Sequence, residues 1–85
     1  MKGDRVMICK TVRWANLKEA QKFTHILSQY PIEADLIQGR REVDAKSFLG
    51  ICSLNPEEKI VLHLYADRDT EHGKELIKQI EPYLE

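Results

Sequence analysis

The side chains able to do chemistry are few in this 85-residue chain, and they are scattered. Cys9 and Cys52 lie far apart, in no CxxC pair and no Cys/His ligand set. One disulfide is formally possible, but two free thiols are the expected state in a reducing compartment. Both cysteines are expected to be buried as small apolar side chains rather than to react. His25, His63 and His72 fall on three different predicted elements without ligand spacing. That spacing predicts no metal site, and no residue set calls for a cofactor. What remains is Asn16 and Ser47, each standing where a helix should begin. A helix start exposes unpaired N–H groups and the positive end of the dipole, so it is where an anion or an acceptor side chain is favoured.

The elements that position these residues follow from periodicity. Val6-Met7-Ile8-Cys9, within about residues 4–11, reads as a strand. Asn16 caps a helix, with Glu19 three residues on as in a capping box. Its predicted buried stripe is Leu17, Ala20, Phe23, Leu27 and Tyr30, and Pro31 stops it. Ile32–Leu36 alternates with period two, Gln38-Gly39 turns, and Arg41–Val43 returns as a short strand. Ser47 opens a short helical segment that ends near Ser53, ahead of Asn55-Pro56. Ile60–Tyr65 is the clearest strand, with Ile60, Leu62 and Leu64 inward. Asp69 or Thr70 caps the last helix, whose stripe is Gly73, Leu76 or Ile77, Ile80 and Leu84, and Pro82 frays or kinks its end. The order β-α-β-β-α-β-α predicts an α+β open-faced β-sandwich, a four-stranded antiparallel sheet with three helices on one face. The last strand is expected beside the first.

Length and composition bound the function. Eighty-five residues allow one domain, 1–85. A formal charge of −1 argues against a nucleic-acid carrier. No apolar run approaches the ~18 residues that span a bilayer, and no signal peptide is visible, so a cytoplasmic location is expected. The charge is uneven. Residues 1–46 carry nine basic and six acidic side chains, and residues 47–85 carry four and eight. A basic N-terminal half and an acidic C-terminal half are therefore expected.

The segment Val43-Asp44-Ala45-Lys46-Ser47-Phe48-Leu49-Gly50-Ile51-Cys52-Ser53-Leu54 resembles that around the regulatory serine of HPr, the histidine-containing phosphocarrier of the bacterial sugar phosphotransferase system. There an Ala-Lys-Ser tripeptide precedes a short apolar helix with a Ser-Leu end. The element order agrees over nearly the whole chain, and the resemblance implies the strand order 1-4-2-3. It also implies a phosphohistidine in a Gly-Leu-His-x-Arg-Pro-Ala motif at the start of the first helix. Counting back from Ala20, the matching stretch is Trp14–Ala20, so Asn16 takes the histidine's place, Lys18 the arginine's and Glu19 the proline's. An amide nitrogen is not a nucleophile, because its lone pair is delocalised into the carbonyl. The first histidine, His25, is nine residues on, about 13 Å along a helix axis. Glu19 brings negative charge to this end, and Arg13 and Lys18 partly compensate.

Each candidate then has two readings. Asn16 is a helix cap, or a remnant anion site with Lys18 and the helix N–H groups. Ser47 is a cap, or a regulatory phosphorylation site beside Lys46, as the resemblance implies. Phe48, Leu49 and Ile51 are core, or a docking surface for a protein partner of the phosphotransferase or regulatory kind. Met7, Cys9, Ile37, Val61, His63 and Tyr65 would line the open sheet face, more apolar than a solvated face requires. Three functions follow. The leading one is a non-catalytic HPr-like binding or regulatory module, monomeric or weakly dimeric, with neither nucleic acid nor membrane as partner. The others are a divergent phosphocarrier with another acceptor, for which Thr11 and the Ser47 region are the nearest nucleophiles, and a structural homodimer through the sheet face.

Overall fold

The computed structural model describes residues 7–66 and 70–85. The elements are β1 (Met7–Val12), α1 (Leu17–Ser28), β2 (Glu33–Gln38), β3 (Arg41–Asp44), α2 (Phe48–Cys52), β4 (Ile60–Tyr65) and α3 (Thr70–Ile80), followed by a 3₁₀ turn at Glu81–Tyr83. The strands form one antiparallel sheet in the order β1-β4-β2-β3. The three helices cover one face, giving the open-faced sandwich. The predicted cap of α3, at Asp69 or the Thr70 side chain, lies outside the described residues.

Strict alternation in β4 organises the core. Ile60, Leu62 and Leu64 are buried, and Val61, His63 and Tyr65 between them are half-buried on the other face. Ala34 and Leu36 of β2 and Val12 of β1 join the buried side. From the helices come Ala20, Phe23 and Leu27 of α1, Ile51 of α2, and Leu76 and Ile80 of α3. Phe23 sits between two aromatic rings, with its centroid 5.4 Å from those of both Trp14 and Tyr83. Such offset and edge-on contacts suit the ring quadrupole. Pro82 falls at the start of the 3₁₀ turn, where its missing N–H costs no helical bond.

Two glycines have a geometric reason. Gly39 opens the two-residue β2–β3 turn at φ 62°, a conformation that an L side chain rarely adopts. Gly50 lets α2 lie close on β3, since a Cβ there would stand 3.1 Å from Val43 Cβ.

Three expectations are corrected. Leu17 is 59% exposed rather than part of the α1 stripe. At 100° per residue it lies about 70° round the helix from the centre of Ala20, Phe23, Thr24 and Leu27. Thr24 takes the place in the stripe, buried at 8% exposure. Cys9 and Cys52 are exposed free thiols rather than buried ones. Cys9 falls on the outer parity of β1, opposite His63, and Cys52 follows buried Ile51 by one residue and so faces away from the core.

The Thr24 hydroxyl is buried without a hydrogen-bond partner among the described residues. An unsatisfied buried hydroxyl costs about 1–3 kcal/mol. Thr24→Val keeps the shape and removes the orphaned group, so it should stabilise the domain by roughly 0.5–2 kcal/mol. A rise in urea midpoint at constant m-value checks this.

Candidate functional site at the start of the first helix

The chain leaves β1 at Val12, buries Trp14, and enters α1 through Asn16. Asn16 is extended, at φ −161° and ψ 176°, and its Oδ1 accepts the Glu19 N–H at 2.9 Å. This is the cap that the sequence predicts. The Glu19 carboxylate turns instead toward Lys22 Nζ, 3.7 Å away.

The chain's own end closes over this region. Leu84 bridges Val12, the Glu85 N–H donates to Thr11 O at 2.9 Å, and the Arg13 N–H donates to Tyr83 O at 2.8 Å. Arg13 Nη1 meets Glu85 Oε2 at 3.1 Å. Arg13 is therefore drawn along the edge of β1 to Glu85. Its ion pair is with the Glu85 side-chain carboxylate, and it also borders a depression that Glu19 lines. Lys18 is exposed on α1 and remains the cation of the Asn16 end. A shallow depression of ≈ 310 Å³ lies beside it, lined by Arg13, Trp14, Ala15, Glu19, Pro82 and Tyr83. Burial, and then the charge of Glu19, raise the Tyr83 phenol above its ordinary value of 10.0.

Ser47 also caps as expected, its Oγ accepting the Gly50 N–H at 3.2 Å. Lys46 Nζ donates to Tyr30 O at 2.7 Å, and its N–H donates to Asp44 Oδ1 at 2.9 Å. Tyr30 lies just beyond the C-terminal end of α1. Ser47 therefore stands near that end, whereas Asn16 begins the helix, 12 residues of α1 away, or about 18 Å. The two candidate sites are at opposite ends of one helix. The α2–β4 loop, not the start of α2, returns to the Asn16 end of the sheet. There Gln38 donates to Asn55 O at 2.7 Å and accepts the Asn55 N–H at 2.8 Å.

The three apolar residues of α2 separate. Ile51 is buried at 2% exposure and belongs to the core, so it drops out of any docking surface. Phe48 is half-buried against the core and Leu49 is 83% exposed. Leu17, beside Asn16, was missed as an exposed apolar residue, although its angular offset from the stripe was a readable signal. Thr11, the other nucleophile considered, lies within β1, with its carbonyl engaged by Glu85. Among the described residues no three His, Cys, Asp or Glu side chains gather as a metal-ligand group. No described helix is long and apolar enough to cross a membrane.

No family model and no curated protein matches the chain. Solved structures do. The chain is similar to the phosphocarrier protein HPr from Bacillus anthracis str. Ames, with a TM-score of 0.64 at 18% identity over 88% of this chain and 98% of that one. It is also similar to HPr-C-His from Thermoanaerobacter tengcongensis, with a TM-score of 0.61 at 25% identity over 91% of this chain and 90% of that one. The fold is HPr-like.

Asn16→Ala should destabilise the domain by about 1 kcal/mol, because the Glu19 N–H loses its acceptor; chemical denaturation measures it. Tyr83 sets an alkaline limit. Its folded value lies above its unfolded one, so the native state holds the phenolic proton more tightly. That stability is complete below about pH 10 and is lost as pH rises through the folded value. Tyr83→Phe should flatten the alkaline limb of a pH–stability curve.

Proposed function

We propose that this chain is a single HPr-like domain, residues 1–85, acting as a non-catalytic binding or regulatory module related to the phosphotransferase system. The carrying observation is Asn16. In the motif alignment it stands where the family holds its phosphohistidine, and here its amide is used to cap α1. Phosphoryl relay needs a nucleophilic nitrogen at that point. A carboxamide offers none, and the nearby Arg13 is held by Glu85.

The docking surface in this reading is the layer of α1 and α2. Leu17 and Leu49 project into solvent, and Phe48 packs half-buried against the core. Exposed leucines of this size beside helix ends suit a protein partner, here one of the phosphotransferase or regulatory class. Ser47 is the proposed modification site. A phosphate there would displace the hydroxyl's bond to the Gly50 N–H and draw on Lys46, which now donates to Tyr30. Asp44 beside it opposes the added charge.

Two measurements test the proposal. After incubation with enzyme I of a phosphotransferase system and phosphoenolpyruvate, the intact mass should be unchanged. Stoichiometric acid-labile phosphate would overturn the reading. Leu49→Glu should leave the thermal midpoint within about 2 °C, as surface changes do, while abolishing capture of the partner from native lysate. Partner capture undiminished in that variant would remove α2 from the docking surface.

A further inference from the structure

The sheet face opposite the helices has an unusual charge arrangement. The register brings Met7, Cys9 and Thr11 of β1, Val61, His63 and Tyr65 of β4, Glu33, Asp35 and Ile37 of β2, and Glu42 and Asp44 of β3 onto this one side. Two zones result. Over β1 and β4 the face is apolar and aromatic, with Met7 50% exposed, and the His63 and Tyr65 rings lie edge-on with centroids 6.4 Å apart. Over β2 and β3 it carries four carboxylates, including the direct cross-strand pair Asp35 and Asp44. Among the described residues of this face there is no lysine or arginine. The basic residues of these strands, Lys10 and Arg41, fall on the other parity, and Arg41 reaches to Ser53 O. Like charges directly opposite each other are unfavourable in a sheet; Asp44 also accepts the Lys46 N–H, and a cation laid over the Asp35–Asp44 pair would relieve the repulsion between them.

The occupant follows from charge and area. A second copy placed face to face would set these carboxylates either against their own kind or against the other copy's apolar strip, since a two-fold apposes residue i with j and j with i, and in neither case would a lysine or arginine of this face meet them. That works against the structural homodimer that the apolar residues alone suggested. Phosphate backbones and anionic lipids carry the same sign. At ~4.8 Å between strands and ~3.3 Å per residue the face is only some 300–400 Å² in plan, below the ~800 Å² per partner of a standard interface. One α-helix, about 10–12 Å across, covers it. We propose that this face docks a cationic amphipathic helix of a protein partner, with apolar side chains on Met7, Val61 and Ile37 and Lys or Arg over Asp35, Glu42 and Asp44. This surface is separate from the α1–α2 layer and does not depend on the function proposed for it.

A helical peptide with leucine on one face and lysine on the other tests it, compared with a twin carrying glutamate for lysine. In amide-resolved NMR titration the lysine peptide should shift Cys9, Asp35, Ile37 and His63. The glutamate twin should bind at least about tenfold more weakly, as electrostatic complementarity requires. Asp35→Asn with Glu42→Lys should weaken the lysine peptide by a similar factor, and Glu57→Lys with Glu58→Lys should have little effect. Leu49→Glu should change nothing, which separates this inference from the α2 docking surface. Three outcomes would overturn it: shifts confined to α1 and α2, equal binding of both peptides, or a sedimenting dimer of the free chain that Glu42→Lys dissolves.

Discussion

Ile60, Leu62 and Leu64 point the same way from β4, and none is more than 1% exposed. Burying each such side chain stabilises the fold by roughly 1.5–3 kcal/mol, so the middle strand must be covered on that side. Its neighbours β1 and β2 supply the flanks, and the helices supply the cover. Because only alternate residues of β4 are fully buried, one layer of helices suffices and the other face stays open. The single-layer architecture, the position of α1 over the sheet, and hence the place of Asn16 all follow from that alternation.

The start of α1 is then fixed from two directions. Trp14 and Phe23 anchor it below, and the 3₁₀ turn with Tyr83 closes beside it. The bridge from Val12 to Leu84 carries Glu85 to Arg13. The exposed ion pair itself contributes little, about 0–1 kcal/mol. It ties the guanidinium to Glu85, while Arg13 still borders the depression that Glu19 lines. An end that helix geometry makes attractive to anions is thus left with a capped N–H, one exposed lysine and the nearby Glu19 carboxylate. These are the features of a capped helix terminus.

Much of this was legible in the residues. Strand β4, both helix caps, the Gly39 turn and the placing of the last strand beside the first follow from period-two alternation, capping chemistry and the need to bury the last strand, while the full strand order is what the resemblance to HPr implies. What escaped were angular and edge effects. Leu17 matches the i, i+3 spacing yet lies off the stripe's centre, because the stripe is set by what packs beneath it. For Cys9 residue type favours burial and strand parity favours the open face, and parity decides, since the face flips with each residue. Leu49 and Ile51 differ by two positions on a helix of five residues, and only contact with the core decides which one faces in. The opposite placement of Asn16 and Ser47 required the direction of α1 relative to β3, which no local pattern encodes.

Charge shows the same distinction at larger scale. Counting along the chain separates a basic first half from an acidic second half, but folding does not keep halves together. Glu33, Asp35, Glu42 and Asp44 all come from the basic half, and strand parity gathers them on the open sheet face. Lys18 and Lys22, from the same half, stand on α1 in the layer that covers the other face. The two sides of the sandwich therefore present different chemistry. One offers exposed leucines with lysines near a helix start, and the other an apolar strip bordered by carboxylates. Across a sheet one layer thick, charges more than a Debye length of about 8–10 Å apart through solvent are largely screened. Each face then presents its own sign to solvent, and a small domain of nearly zero net charge can hold two unlike surfaces without one cancelling the other.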